Sequence, residues 1–237
     1  LLARQSEGCF LYLVEALNDL ANPVPIYTFQ TLSSLPPGMP HWYEGWMHRV
    51  VGIGGDFRVL RSVLELLVAT NKAPLPLDML VLASGLSTDD LAKPLRQLTQ
   101  HLARSELGSQ SLAYSIRSER FREWLTCKDV ADPGDWHGYR INPTVGHRRL
   151  ASVCKDWNTF DGQARSYALQ GYPVHAAEAG MDADLLHVLC DSDYLARRAA
   201  IAPLSELSST YKQSLEEIHR IGLRDKPIAL RHLKQLR

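Results

Sequence analysis

The sequence lacks the common signatures of a catalytic centre or a metal site. None of its four cysteines forms a C-x-x-C pair, and none of its nine histidines forms an H-x-x-x-H or H-E-x-x-H pair. It contains no G-x-S-x-G elbow and no G-x-x-x-x-G-K-[ST] phosphate loop. We therefore expect no catalytic residue, no metal ligand and no cofactor in this chain by itself.

The sequence also lacks an excess of either charge, with 26 basic and 26 acidic residues. This balance gives no overall basic footprint for nucleic acid or an anionic membrane. No apolar run reaches the roughly 18–20 residues that span a bilayer, and LLARQSEG lacks the apolar core of a signal peptide. Widely separated cysteines are typical of free thiols in a reducing compartment, so we expect a cytoplasmic protein without a membrane partner. They are Cys9, Cys127, Cys154 and Cys190.

Apolar spacing predicts two helices in the first quarter of the chain, Ser6–Ala21 and Pro40–Val51. Pro23 and Pro25 end the first helix, and a turn-rich link, Thr31–Pro40, precedes the second. The first predicted apolar face is Phe10, Leu13, Val14, Leu17 and Leu20. The second is Tyr43, Trp46, Met47 and Val50. The glycines of GIGG, residues 52–55, then predict a joint between helices, because no lysine follows them to hold a phosphate.

The stretch around which the chain is organised, Phe57–Leu125, predicts three helices and a β-ribbon. The first helix is Phe57–Thr70, with Leu60, Val63, Leu64 and Leu67 at helical spacing. Asn71–Pro76 is rich in residues that break regular structure, and Leu77–Ser84 is a short second helix closed by a left-handed Gly85.

Ser87 and Asp90 resemble a capping box that opens the third helix, whose leucine spacing continues to Leu102. Pro94 inside this segment leaves two alternatives: the main helix starts at Pro94, or one helix is kinked there. Gly108 then predicts a turn between two short strands within 105–116, and helical spacing resumes over Arg120–Leu125.

The last part of the chain predicts a linker followed by helices only. Lys128–Thr144 is the linker, because it combines prolines, glycines and aspartates. Gly180 predicts a helix end, and Pro173 and Pro227 predict first turns. The predicted helices are His147–Trp157, Gly162–Gln170, Pro173–Ala179, Ala183–Leu189, Tyr194–Ile201, Leu204–Ile221 and Lys226–Leu236.

These elements predict a mainly α protein: a helical segment, a winged helix with a small two-strand β-wing, and an α-helical bundle or solenoid-like arm. The predicted domains are a helical domain over 1–55, a winged helix over 56–127, a linker over 128–145 and the arm over 146–237.

A winged helix raises the alternative of DNA binding through its third helix. Residues 87–125 hold six basic and five acidic side chains, a net charge of +1, which argues against several phosphate contacts. The polar side of the predicted third helix carries Lys93, Arg96, Gln97, Gln100, His101 and Arg104, followed by Arg117, Arg120 and Arg122. Under this alternative the contacts are Lys93, Arg96, Gln100, Arg104 and Arg120.

Four stretches, taken in order, resemble one family. They are SEGCFLYLVEAL, LPPGMPHWYEGWMHRV, VLELLVATNKAPLPLDMLVLASGL and the set HRRLASVCKDW, YALQGYPVHAAEAG and LLHVLCDSDYL. They resemble the helical domain, winged helix and helical arm of the STAND signal-transduction NTPases of NACHT or NB-ARC type, downstream of the nucleotide-binding core. The resemblance covers about three-quarters of the chain, as judged from these stretches.

The resemblance implies a conformational switch that relays the ATP or ADP state of an upstream P-loop domain to downstream sensor repeats. It implies ATP or ADP with Mg²⁺ in the longer parent protein, ATPase activity there but not in this chain, self-association on activation, and an additional protein ligand. The family often has a histidine before the F-R-E-Y-L end of the wing, and here Ser118 occupies that position beside Arg117. These two residues are the predicted phosphate-sensing contacts, since a hydroxyl and a guanidinium both bind phosphate.

Two other functions stay open at this point. One is a transcriptional regulator that places the winged helix on DNA. The other is a helical scaffold whose arm binds protein partners.

Overall fold

The structure is a computed structural model that describes residues 2–7, 9–21, 38–52, 57–70, 73–107, 111–126 and 138–201. The described chain is mainly helical with a small three-stranded antiparallel sheet, which confirms the mainly α prediction. The helices are α1 (Leu2–Gln5), α2 (Phe10–Leu20), α3 (Gly38–Gly52), α4 (Phe57–Ala69), α5 (Leu77–Ser84), α6 (Thr88–Gln97), α7 (Glu119–Thr126), α8 (Pro143–Cys154), α9 (Gly162–Glu178), α10 (Asp182–Cys190) and α11 (Ser192–Ala199). The strands are β1 (Leu75–Pro76), β2 (Leu102–Leu107) and β3 (Ser111–Ile116). None of the described helices is both long enough and apolar enough to cross a membrane.

Several predicted features lie outside the described residues. They are Pro23, Pro25, Gly108, Pro227, the helices Leu204–Ile221 and Lys226–Leu236, and the greater part of Thr31–Pro40, of GIGG and of the linker Lys128–Thr144.

The chain divides into two compact units: residues 1–61 with 118–141, and residues 62–117 with 142–237. This division differs from the predicted domain boundaries. One boundary falls inside α4, between Arg61 and Ser62, and another follows Arg117. The predicted arm shares the second unit with the sheet. The four-part division stays a prediction.

In the first unit, α2 buries the face opposite to the predicted one. Tyr12 and Ala16 are buried, whereas Phe10 is 77% exposed and Leu17 is 54% exposed. The ring of Tyr12 packs edge-on against Trp42, with ring centroids 5.4 Å apart. This aromatic contact buries more apolar area than a leucine contact, which explains why the prediction from leucine spacing is wrong.

Helix α3 follows its prediction closely. Tyr43, Trp46 and Met47 are buried as expected, and Val50 is half-buried. Helix α7 extends the predicted Arg120–Leu125 by one residue at each end.

The four predicted apolar residues of the first central helix, Leu60 to Leu67, are buried on α4, and all of them except Leu60 belong to the second unit. The sheet has the order β1-β3-β2. Leu75 pairs with Tyr114 and Pro76 with Ala113, so part of the predicted breaker-rich link is a strand. The prediction missed this strand because it is short and contains a proline, which an edge strand tolerates.

Local capping signals are confirmed in detail. Gly85 ends α5 in the left-handed conformation, at φ 70°. At α6 the Asp90 amide donates to Ser87 Oγ at 3.1 Å, and the Ser87 amide donates to Asp90 Oδ2 at 3.4 Å. One helix runs through Pro94, so a helix that starts there is ruled out.

The predicted continuation of the third helix to Leu102 is wrong. Helix α6 ends at Gln97, a 3₁₀ turn covers Thr99–His101, and Leu102 opens β2. The Thr99 hydroxyl donates to the Leu95 carbonyl at 3.1 Å, a local bond that competes with helix continuation.

Helix α8 begins at Pro143, inside the predicted linker and before the predicted helix start at His147, and the Asn142 side chain caps it. A Cβ on Gly146 would lie 1.9 Å from the Glu65 carbonyl oxygen, so only glycine permits this close approach of α8 to α4. Helix α9 runs unbroken through Pro173, so the predicted helix start at Pro173 is wrong. Gly180 ends α9 with φ +66°, which confirms the predicted helix end.

The arm helices pack on the rest of the second unit. Helix α8 packs against α9 and α5, and α9 packs against β1, α10 and α11. The arm, the sheet and α5 therefore form one packed body within this unit.

Candidate functional site

Ser118 lies directly before α7, and its side chain bonds to residues of the first unit. Its Oγ accepts from the Phe121 amide at 3.3 Å, which satisfies one of the unpaired amides at the start of the helix. Its Oγ is also 3.4 Å from Tyr43 Oη. Burial raises the pKa of Tyr43 above its usual range, so this phenol stays protonated. The serine therefore acts as a helix cap bonded to a buried tyrosine.

An aromatic cluster surrounds this cap within the first unit. Phe121 contacts Tyr43 and Trp46 at centroid distances of 5.1 and 5.6 Å, and it stacks on Trp124 at 5.9 Å. Edge-to-face and offset stacked pairs of this kind add stability beyond the area they bury. The cluster holds α7 against α3 and so positions Ser118.

Arg117, the second predicted phosphate contact, belongs to the other unit. Its Nη2 donates to the Leu102 carbonyl at 3.2 Å, and its amide donates to the His101 carbonyl at 2.8 Å. The arginine side chain is thus bonded to the β2 backbone. The nucleotide role of Arg117 and Ser118 stays a prediction.

The predicted DNA-contact residues are spread over several elements. Lys93 and Arg96 are exposed on α6, Gln100 lies in the 3₁₀ turn, and Arg104 is exposed on β2. Arg120 lies in the first unit, where its Nη1 is 3.8 Å from Glu123 Oε2.

Three further residues of the predicted polar surface also differ from that prediction. His101 is buried, and burial, aided by the charge of Arg117, lowers its pKa to about 3. Arg122 is buried on α7, and Gln97 is half-buried at the end of α6. The predicted polar side of the third helix from Lys93 to Arg104 is wrong as a single helix face, because α6 ends at Gln97.

Among the described residues, no group of three or more His, Cys, Asp or Glu side chains is arranged to hold a metal ion. Cys9, Cys154 and Cys190 are free thiols. Burial raises the pKa of Cys154 above its usual range, which keeps that thiol protonated and unreactive.

The sequence did not predict a polar chain that runs from Tyr167 and His175 of α9 to His147 of α8. Tyr167 Oη lies 2.9 Å from His175 Nε2, and His175 Nδ1 lies 3.0 Å from His147 Nδ1. Both histidines are buried, at 3% exposure for His175 and 8% for His147. The two histidines are 28 positions apart, so no short motif signals the pair. The available signal is that His175 lies among the apolar residues of PVHAAEAG.

The comparisons with known proteins found no relative. No family model matches the chain, and neither a curated protein nor a solved structure matches it.

Proposed function

We propose that this chain is the relay region of a STAND-type signal-transduction NTPase, in which the helices α4, α5 and α6 with strands β1 to β3 are a winged helix. The region would couple the ATP or ADP state of an upstream P-loop domain to a downstream sensor region. The element order supports this proposal: a helix, a short strand, two helices and a hairpin, with β1 pairing on the outer side of β3.

The observation that carries the proposal is the packing of the arm on this helix-and-sheet body. Helix α8 packs on α5, and α9 packs on β1. Arg149 of α8 donates to Ser62 Oγ at 2.6 Å and lies 3.6 Å from Glu65, both on α4. A rigid connection of this kind transmits a displacement of the winged helix directly to the arm, which is what a relay requires.

The charges at the start of α6 argue against the DNA-binding alternative. A recognition helix contacts bases with residues near its N-terminus. Helix α6 has Asp89 and Asp90 exposed in its first turn, where they repel phosphates.

Hydrogen exchange on the full-length protein, with ADP or a non-hydrolysable ATP analogue, tests the proposal. We expect the two nucleotides to change protection in α4–β3 and also in α8–α9. In Arg149→Ala the change in α4–β3 should persist, while the change in α8–α9 should shrink, because the polar contacts of Arg149 with Ser62 and Glu65 are lost. Arg148→Ala, which alters the exposed neighbour of Arg149, is the matched control and should behave like the wild type.

Two results would favour the scaffold or the DNA-binding function over the relay. Nucleotide binding without any change in either segment would leave only a scaffold. Salt-dependent binding of random duplex DNA, weakened by Arg96→Ala, would favour the DNA-binding function.

A further inference from the structure

The buried chain Tyr167–His175–His147 joins two helices by a single shared proton. A neutral imidazole has one N–H donor and one acceptor nitrogen. The two Nδ1 atoms face each other at 3.0 Å, so one of them must carry the proton and the other must accept it. If His147 donates, the Nε2–H of His175 donates to Tyr167; if His175 donates, its Nε2 accepts from the Tyr167 hydroxyl.

This geometry tolerates one additional proton but not two. When His147 alone is cationic, its Nδ1–H still donates to the neutral His175. When both rings are cationic, two N–H groups and two charges oppose each other at a buried contact, which is costly in a medium of low dielectric constant.

Both nitrogens of the His175 ring are bonded, Nε2 to Tyr167 Oη at 2.9 Å and Nδ1 to His147 Nδ1 at 3.0 Å. Turning the ring away from His147 therefore also breaks its bond to Tyr167. On the other helix, Gly146 holds α8 against the α4 backbone beside His147. Because Tyr167 and His175 both lie on α9, separation of α8 from α9 relieves the double charge and keeps the bond to Tyr167.

Groups near His175 come from several elements that pack on α9. Tyr167 and His147 bond to the His175 ring, and the buried, protonated thiol of Cys154 on α8 lies near Tyr167. Strand β1 contributes Leu75 and Pro76, and the 3₁₀ turn Trp157–Thr159 contributes no ionisable side chain. On α10 and α11, Asp184 binds Lys155 and Tyr194 donates to the Leu169 carbonyl. These two helices also carry Asp182, His187, Asp193, Arg197 and Arg198.

We propose that the Tyr167–His175–His147 chain is a proton-operated latch, which holds α8 to α9 at neutral pH and favours their separation on acidification. Burial, aided by the charge of His147, lowers the pKa of His175 from 6.5 to about 3. The latch is therefore at full strength above pH 6.5 and weakens as the pH falls from 6.5 towards 3, because only the open state takes up the proton in that range. The latch does not depend on the proposed coupling to nucleotide.

Native-state amide exchange of the full chain at pH 7.5 and pH 5.0 tests the latch. One proton taken up with a pKa of 6.5 shifts the opening equilibrium by about 30-fold at pH 5.0. After correction for intrinsic exchange rates, the protection factors of the α8–α9 contact should fall about 30-fold in the wild type. They should fall no more than about threefold in His175→Asn, which keeps a polar group at the Nδ1 position but does not titrate.

His101→Asn is the matched control, since it removes another buried histidine of the same unit outside the latch. It should leave the fall in α8–α9 protection at about 30-fold. An unchanged fall in His175→Asn would overturn the latch.

A second variant covers the case in which His175→Asn does not fold. In His147→Asn, the amide oxygen can accept from a protonated His175, so the fall in protection should be smaller than in the wild type. If neither variant folds, the wild-type measurement is sufficient to test the latch. Protection of the α8–α9 contact that is constant between pH 7.5 and 5.0 contradicts it.

Discussion

Two tyrosine–histidine hydrogen bonds of nearly equal length lie in different units of the molecule. In the first unit, Tyr139 Oη is 2.8 Å from His48 Nδ1, and the His48 side chain is 66% exposed. In the second unit, Tyr167 Oη is 2.9 Å from His175 Nε2, and His175 is 3% exposed. The bond lengths do not distinguish the two pairs, but their surroundings do.

The exposed pair is held by contacts that water can replace. Phe57 packs edge-on against Tyr139 at 5.1 Å, Arg61 lies over the Phe57 ring at 4.7 Å, and Glu44 is 3.8 Å from His48. The buried pair instead has a second imidazole on its other side, away from water. Burial and a facing titratable group, rather than the hydrogen bond itself, therefore make the stability of such a pair depend strongly on protonation.

The largest difference between the pairs should appear when the histidine is removed. We expect His175→Ala to lower the free energy of unfolding by about 3–5 kcal/mol, since it leaves a cavity and removes the shared partner of buried His147 and half-buried Tyr167. His48→Ala should cost less than about 1 kcal/mol, because solvent replaces its contacts. Urea unfolding at pH 7.5 measures both, and equal losses would contradict the distinction.

A second prediction concerns the packing that fixes His147. Gly146→Ala should lower the free energy of unfolding by about 3 kcal/mol, because the new methyl group overlaps the Glu65 carbonyl and forces α8 away from α4. Gly52→Ala at the end of α3 is the control, since a Cβ there meets no atom within 4 Å and should change stability by less than about 1 kcal/mol. Thermal unfolding measures both variants, and a neutral Gly146→Ala would contradict the close approach of α8 to α4.

The smallest difference should come from the two hydroxyl groups. Tyr167→Phe leaves buried His175 Nε2 without its partner and should cost about 1–2 kcal/mol. Tyr139→Phe should cost about 0.5 kcal/mol or less, because water can reach His48. Chemical denaturation of the two variants side by side compares them, and a larger cost at Tyr139 would reverse the interpretation of both sites.

Features encoded within a few residues were predictable from the sequence. Gly85, Gly180 and the Ser87–Asp90 capping box each depend on local backbone geometry, and each has the predicted conformation. The helical spacing of Leu60 to Leu67 likewise marked the buried face of α4. Local signals suffice where the neighbours that satisfy a residue lie within one helical turn.

Features that depend on distant partners were not predictable in the same way. The orientation of α2 depends on Trp42, which lies far along the chain from Tyr12. Leu102 has helical spacing from Leu98, but it is the first residue of strand β2 and its side chain is buried there. The candidate site shows the same limit, because the bond between Ser118 and Tyr43 joins residues 75 positions apart and no short motif signals it.

Nitrogen-15 spectroscopy of the histidine rings in the wild-type chain tests the central claim most directly. We expect an N–N coupling across the hydrogen bond between His147 Nδ1 and His175 Nδ1 at pH 7.5. We also expect the nitrogen-15 chemical shifts of His175 to stay those of a neutral imidazole at pH 5.0 for as long as α8 and α9 stay in contact. Absence of that coupling at neutral pH, or two cationic rings at pH 5.0 with the α8–α9 contact unchanged, would contradict that claim.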